Sequence, residues 1–121
     1  MTPLETAAVY YDAWQNKQGD FSEVPLADDF EFVGPVASFD NADGYRAMAR
    51  EAGQAVTSFQ VRRQFADGSV VCSIIDWEMA IPGVGASTSA ELLEIVDGVI
   101  VRGELIYDGE PLRRAMAQQA S

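Results

Sequence analysis

Glu91 is the residue best placed to do chemistry. It lies in the run Ala90-Glu91-Leu92-Leu93-Glu94-Ile95 and, by strand alternation, shares a face with Leu93 and Ile95. A carboxyl between such neighbours loses hydration, which disfavours its charged form and raises its pKa. It could then act as a general acid, or as a base once ionised. The plainer reading is that Glu91 pairs with an arginine or sits at a rim, because perturbed carboxylates only sometimes mark sites. Asp76 and Glu78 offer a second set. They flank Trp77, which points the other way with Ile75 and Met79. On an inner face two such carboxylates share a proton or hold a water; on an outer face they are a solvated or dimer-edge pair. Arg62 and Arg63 on the preceding strand are expected on opposite faces, so one of them can pair with Asp76 or Glu78 in either case. A salt-linked pair is favoured, since buried charges are normally paired.

The rest of the composition narrows the chemistry. There is no histidine, which removes the commonest general base and the commonest zinc ligand, and makes a Ser-His-Asp set impossible. No metal and no cofactor are expected, and no glycine-rich phosphate loop is present. The single cysteine, Cys72, sits in an apolar run and reads as an inert core residue. It allows no intrachain disulfide, which permits a reducing compartment. The formal net charge is −11. That field repels phosphate backbones and anionic membranes, so nucleic acid is not an expected partner. The N-terminal residues lack the pattern of a signal peptide, and no apolar run approaches the ~20 residues that span a bilayer. The expected setting is the cytoplasm, away from membranes.

Several elements must position these groups. Thr2-Pro3-Leu4-Glu5 starts a helix, with Thr2 and Glu5 as a capping box and Pro3 at the first turn. Leu4, Ala7, Ala8, Tyr11 and Trp14 follow at helical spacing and predict one apolar face ending near Gly19. A short helical turn is expected over residues 21–26, then a strand at Phe30-Glu31-Phe32-Val33 closed by Gly34-Pro35. Residues 39–43 read as a loop whose Asp40 or Asn41 caps a second helix, which ends at Gly53. Four long strands follow. The first, residues 57–66, sets Phe59, Val61 and Phe65 on one face. Asp67-Gly68 and Asp97-Gly98 are hairpin turns, because both turn positions tolerate positive φ. Residues 111–116 predict a short terminal helix, and residues 117–121 read as disordered. The 121 residues make one domain, 1–121. Helices gathered before a meandering sheet mean an α+β fold, with helices over the concave face of a curved antiparallel sheet. Strands apolar on both faces need cover on both sides, which predicts a homodimer through the outer sheet face.

This order of elements resembles the nuclear transport factor 2-like superfamily, and within it the SnoaL-like group. The resemblance rests on Tyr10-Tyr11-Asp12-Ala13-Trp14, Leu26-Ala27-Asp28-Asp29, Val33-Gly34-Pro35, Asp43-Gly44-Tyr45-Arg46 and Val96-Asp97-Gly98-Val99-Ile100, and covers essentially the whole chain. It implies a cone-shaped fold with a deep apolar pocket. The fold hosts isomerases, cyclases, epoxide hydrolases, dehydratases and non-enzymatic domains, so it implies no single function. Ketosteroid isomerases share it. By resemblance their oxyanion-hole tyrosine falls on Tyr11 and their oxyanion-hole carboxyl on Glu91. Their catalytic base falls on Gly34, which cannot take a proton, so ordinary activity of that kind is not expected. The resemblance also turns Val101, Gly103, Leu105 and Tyr107 toward the pocket and Arg102 and Glu104 outward, to the dimer contact.

Together these readings predict a domain that binds a small apolar or aromatic molecule. As an enzyme it would be a cofactor-free isomerase, cyclase or hydratase. Glu91 would be its acid/base, Tyr11 a hydrogen-bond donor and Asp76 a second carboxyl; Trp14, Leu93, Leu105 and Tyr107 would line the site. The alternative is a non-catalytic ligand-binding or dimerisation module in which the polar groups satisfy one another. An enzyme should hold Glu91 in an open cavity within reach of a second polar group. A module should have a filled cone, or Glu91 locked to an arginine.

Overall fold

The computed structural model describes residues 1–120. Helix α1 spans Pro3–Asn16, opened by the expected box: Glu5 N–H donates to Thr2 Oγ1, and Thr2 N–H to Glu5 Oε1. Its buried face is Thr6, Ala7, Tyr10, Tyr11 and Ala13, while Leu4 and Ala8 are exposed. The stripe is therefore rotated by about one position from the predicted one. Residues 21–25 form turns instead of a helix. Arg46 explains this, because its guanidinium donates to the carbonyls of Phe21 and Val24 and holds the segment open.

Strand β1 begins earlier than predicted and spans Leu26–Val33; the short β2 is Ser38–Phe39. Helix α2 spans Ala42–Ala52, with Asn41 as N-cap (Oδ1 accepting from Gly44 N–H at 2.7 Å) and Gly53 closing it. The ends of α1 and α2 meet backbone to backbone. A Cβ at Gly53 would lie 2.0 Å from the Gln18 carbonyl oxygen, and one at Gly19 2.0 Å from that of Ala49. Only glycine allows this approach.

The four long strands are β3 (Val56–Asp67), β4 (Val70–Met79), β5 (Gly85–Val96) and β6 (Val99–Ile106). The sheet order is β2-β1-β6-β5-β4-β3. Every pairing is antiparallel except β1 with β6, which is parallel, so the sheet is mixed. The fold is α+β, as expected. α1 packs on β3, β4 and β5, and α2 on β1 and β2. The core lies between them and one sheet face, built from Tyr10, Tyr11, Phe21, Phe30, Phe32, Tyr45, Val71, Ile75, Leu93 and Ile100.

A register shift in β3 between Val61 and Arg63 changes which side chains face inward. Val61 opposes the buried Ile75, but Arg63 opposes Ile74 and Phe65 opposes Cys72 on the outer face. Phe65 is accordingly 53% exposed and does not join Phe59 and Val61. Arg62 and Arg63 both lie outside, not on opposite faces. Cys72 is half-buried on this outer face and is not a core residue. A bulge is the physical cause: one extra residue reverses the inward and outward alternation beyond it.

Helix α3, Glu110–Ala120, is longer than predicted and covers residues read as disordered; Ser121 lies outside the described residues. It is tied to the β1–β2 loop by Arg113 Nη1 donating to the Pro35 carbonyl at 3.0 Å. Among the described residues no helix is long and apolar enough to cross a membrane.

Candidate functional site

The concave face of β5 presents Ser89, Glu91, Leu93 and Ile95, all buried. Glu91 is 3% exposed and has no ion-pair partner among the described residues. The Tyr10 hydroxyl donates to Glu91 Oε2 at 3.0 Å and also bonds the Tyr45 hydroxyl very closely. The three groups make one buried network across α1, α2 and β5. Burial pushes the Glu91 carboxyl up from 4.5 to about 7, against the smaller opposing pull of Tyr10 and Tyr11. Burial and the neighbouring carboxylate push all three tyrosines well above their usual range, so they act as neutral donors.

Tyr11 behaves differently from its neighbour. It is 2% exposed, and its hydroxyl has no partner in hydrogen-bond geometry. Glu91 and Ser73 nevertheless lie near enough to bear on its acidity. A buried phenol of this kind is uncommon, because an unmade hydrogen bond costs about 1–3 kcal/mol. So the carboxyl is joined to Tyr10, where the sequence pointed to Tyr11. The missed residues are Tyr10 and Tyr45. A tyrosine adjacent to Tyr11 in the helix was the available signal for the first; nothing in the spacing pointed to the second.

The remaining candidates spread out. Leu93 is fully buried in the core. Trp14 is half-buried and stacks on Phe59 at 6.0 Å between ring centroids. Leu105 pairs with Glu91 across β5–β6 and is half-buried. Tyr107 meets Trp77 edge to face at 5.5 Å. These two aromatics help line a cavity of 130 Å³ with Val84, Ser87, Pro111 and Leu112. Trp77 Nε1 donates to Ser89 Oγ at 2.6 Å, two residues from Glu91 on the same face. The indole thus borders that cavity and is bonded to Ser89.

Asp76 is elsewhere. It opposes Thr88 on the outer face, bonded by Arg62 Nε at 2.9 Å and Thr88 Oγ1 at 2.7 Å. These two donors hold its carboxyl below the usual range. It borders an open groove of 540 Å³ with Ser58, Glu78 and Thr88, on the opposite side of the sheet from Glu91. The structure therefore brings Glu91 and Tyr11 together and keeps Asp76 apart. A Cβ at Gly34 would meet the Phe32 ring and the Ala37 carbonyl oxygen at 3.1 Å, so a side chain there requires these neighbours to give by a few tenths of an ångström. Arg102 and Glu104 lie outside, where Arg102 pairs with both Glu104 and Glu31.

Among curated proteins none matches the sequence. Solved structures do. A protein from Kribbella flavida DSM 17836 is 26% identical, with a TM-score of 0.81 over 97% of this chain and 95% of that one. An NTF2-like protein of unknown function from Cytophaga hutchinsonii is 19% identical, with a TM-score of 0.80 over 93% and 96%. An LEH-like epoxide hydrolase from M. tuberculosis is 17% identical, with a TM-score of 0.72 over 96% and 90%. The sequence profile of the SnoaL-like domain matches residues 7–107. With helices, curved sheet and buried acid arranged as described, the chain belongs to the SnoaL-like domain family, on the nuclear transport factor 2-like fold.

Proposed function

We propose that this domain binds a small, uncharged, largely apolar or aromatic molecule beside Glu91 and Tyr11. One observation carries the reading: a buried carboxyl with no cation near it, poised at about pH 7, stands beside a buried phenol with a spare hydroxyl. Such a pair can donate to, or take a proton from, a ligand oxygen or its α-carbon without any cofactor. Isomerisation, cyclisation and hydration all need that. Glu91 is the acid/base in this proposal and Tyr11 the donor. Leu93 and Leu105 supply apolar wall, Trp14 closes the α1 side, and Tyr107 stands at the rim. Asp76, held by Arg62 outside, takes no part. Glu91 is nearly sealed, so entry requires side chains at the mouth to move, Trp77 first.

That sealing favours a second reading. Tyr10 donates to the carboxyl and is itself bonded to Tyr45, and Glu91 is almost wholly buried, as in a non-catalytic module. In either case we propose a homodimer through the outer sheet face, which exposes Phe65 and Ile106 beside Ile74 and Leu92. We keep the cytoplasm as its setting, on the single unpaired Cys72. A thermal-shift screen of small carbonyl, phenol and epoxide compounds separates the two readings. Ligands of the native state raise the melting temperature by mass action. Hits that weaken in Glu91→Gln support the enzyme reading and call for turnover assays. No hits with either protein leaves the module.

A further inference from the structure

Glu91, Tyr10 and Tyr45 share two hydrogen bonds inside a core where none of them is more than 3% exposed. A phenol has one proton to give, and its oxygen also accepts. The Tyr10 proton goes to Glu91 Oε2 at 3.0 Å, so the proton in the Tyr10–Tyr45 bond comes from Tyr45. The row runs inward, Tyr45 to Tyr10 and Tyr10 to the carboxylate, and every proton in it has an acceptor. The other carboxylate oxygen, Oε1, has no hydrogen-bond partner among the described residues and, unlike the Tyr11 hydroxyl, is not completely enclosed. Tyr11 is the remaining titratable side chain beside the carboxyl; its hydroxyl is out of bonding geometry, and no cation pairs with Glu91 among the described residues.

When Glu91 takes up a proton, that proton has two places to go. On Oε2 it faces Tyr10, which must then turn its own proton to Tyr45 and leave the Tyr45 proton without an acceptor in the core. A buried donor in that position keeps its full desolvation cost. On Oε1 the row stays as it is, and the one unpaired proton stands on an oxygen that is not completely enclosed. We propose that Glu91 gives and takes its proton at Oε1, and that Tyr10 and Tyr45 are positioning residues that hold Oε2. Neither tyrosine reorients when the proton moves, so the carboxyl is set for transfer before a ligand arrives. Tyr45 acts through Tyr10: its donation makes Tyr10 a better donor. This inference rests on Glu91 being the acid/base of the proposed function. It fixes where a bound molecule must place its reacting atom, at the oxygen that Tyr10 leaves free.

The test is the carbonyl stretch of protonated Glu91 at pH 5, read by infrared difference spectroscopy and assigned by its loss in Glu91→Gln. With the proton on Oε1, the carbonyl oxygen is Oε2, which accepts from Tyr10. The band of the parent should then lie in the hydrogen-bonded range, and Tyr10→Phe should move it to higher wavenumber. A parent band at the free-acid position, or one that Tyr10→Phe does not raise, overturns the proposal. Tyr45 is read by titrating ¹³C-labelled glutamate carboxyls by NMR. Tyr45→Phe should raise the Glu91 pKa by about 0.2–0.5 unit, and should change nothing in a Tyr10→Phe background. An equal shift with and without the Tyr10 hydroxyl would mean that Tyr45 acts by packing, and overturns its part. If neither tyrosine variant folds, the position of the parent band decides. Neither readout needs a ligand or turnover. A failed compound screen with the expected bands counts against the function alone, and hits with a free-acid band in the parent count against the Oε1 assignment alone.

Discussion

A carboxyl that ionises only near pH 7 in the folded protein makes the fold less stable as pH rises. Glu91 titrates at about 7 when folded and near its ordinary 4.5 when unfolded. Between these values the native state holds the proton and the unfolded state does not, so stability is greatest below about pH 4.5 as far as this group is concerned. It falls through pH 7 and is level above, by a total on the order of 3 kcal/mol. Glu91→Gln cannot lose a proton. Urea unfolding of parent and variant, compared at pH 5 and pH 8, should show the variant gaining on the parent at the higher pH. A difference that does not change with pH would mean that Glu91 is not buried as described. The two adjacent tyrosines should part ways. Tyr10→Phe removes a donor from the carboxyl and should cost about 1–3 kcal/mol in the same assay, whereas Tyr11→Phe deletes an unpaired hydroxyl and should be neutral or slightly stabilising. The acid was legible because a single carboxylate in an apolar alternating strand stands out by type alone. Its true partner was not, because Tyr10 and Tyr11 both fall inside the wide buried stripe of α1, and only the depth of the helix on the sheet decides which hydroxyl reaches Oε2.

Secondary-structure elements with strong local signals were readable to within a few residues. The Thr2 box, the Asn41 cap, the Gly53 stop and the Asp97-Gly98 turn each rest on one or two residues with a fixed backbone preference. The β3 bulge rests on no such residue. Its alternating Phe59, Val61 and Phe65 continued past Arg62 on paper, and a one-residue slip then reversed every side chain beyond. Turn 21–25 was misread for a related reason: its geometry comes from a distant Arg46 and not from its own sequence. The glycine contact between the ends of α1 and α2 gives a sharp test at this scale. A methyl at Gly53 would overlap the Gln18 carbonyl, so the helices must separate to admit it. Gly53→Ala should cost about 2 kcal/mol or more despite its better helix propensity, measured by thermal or urea unfolding. Gly68→Ala is the control, since a Cβ there meets nothing and only the φ of +60° opposes it.

At the scale of the molecule, the outer sheet face carries apolar residues ringed by paired charges, Arg62 with Asp76 and Arg102 with Glu31 and Glu104. Covering Phe65, Ile74, Leu92 and Ile106 with a second copy would hide them from water. Phe65→Lys with Ile106→Lys should then convert a dimer to a monomer in sedimentation velocity, while leaving the Glu91 titration in place. A parent protein that already sediments as a monomer would remove the dimer from the account. The sheet order has a consequence for the making of the chain as well. β6, the last strand, is wedged between β1 and β5. During synthesis β3, β4 and β5 can zip together as each appears, because their partners adjoin them in sequence. β1 cannot; its inner neighbour emerges about seventy residues later. A nascent chain therefore carries β1 with one strand edge unpaired until β6, about seventy residues later, has been made.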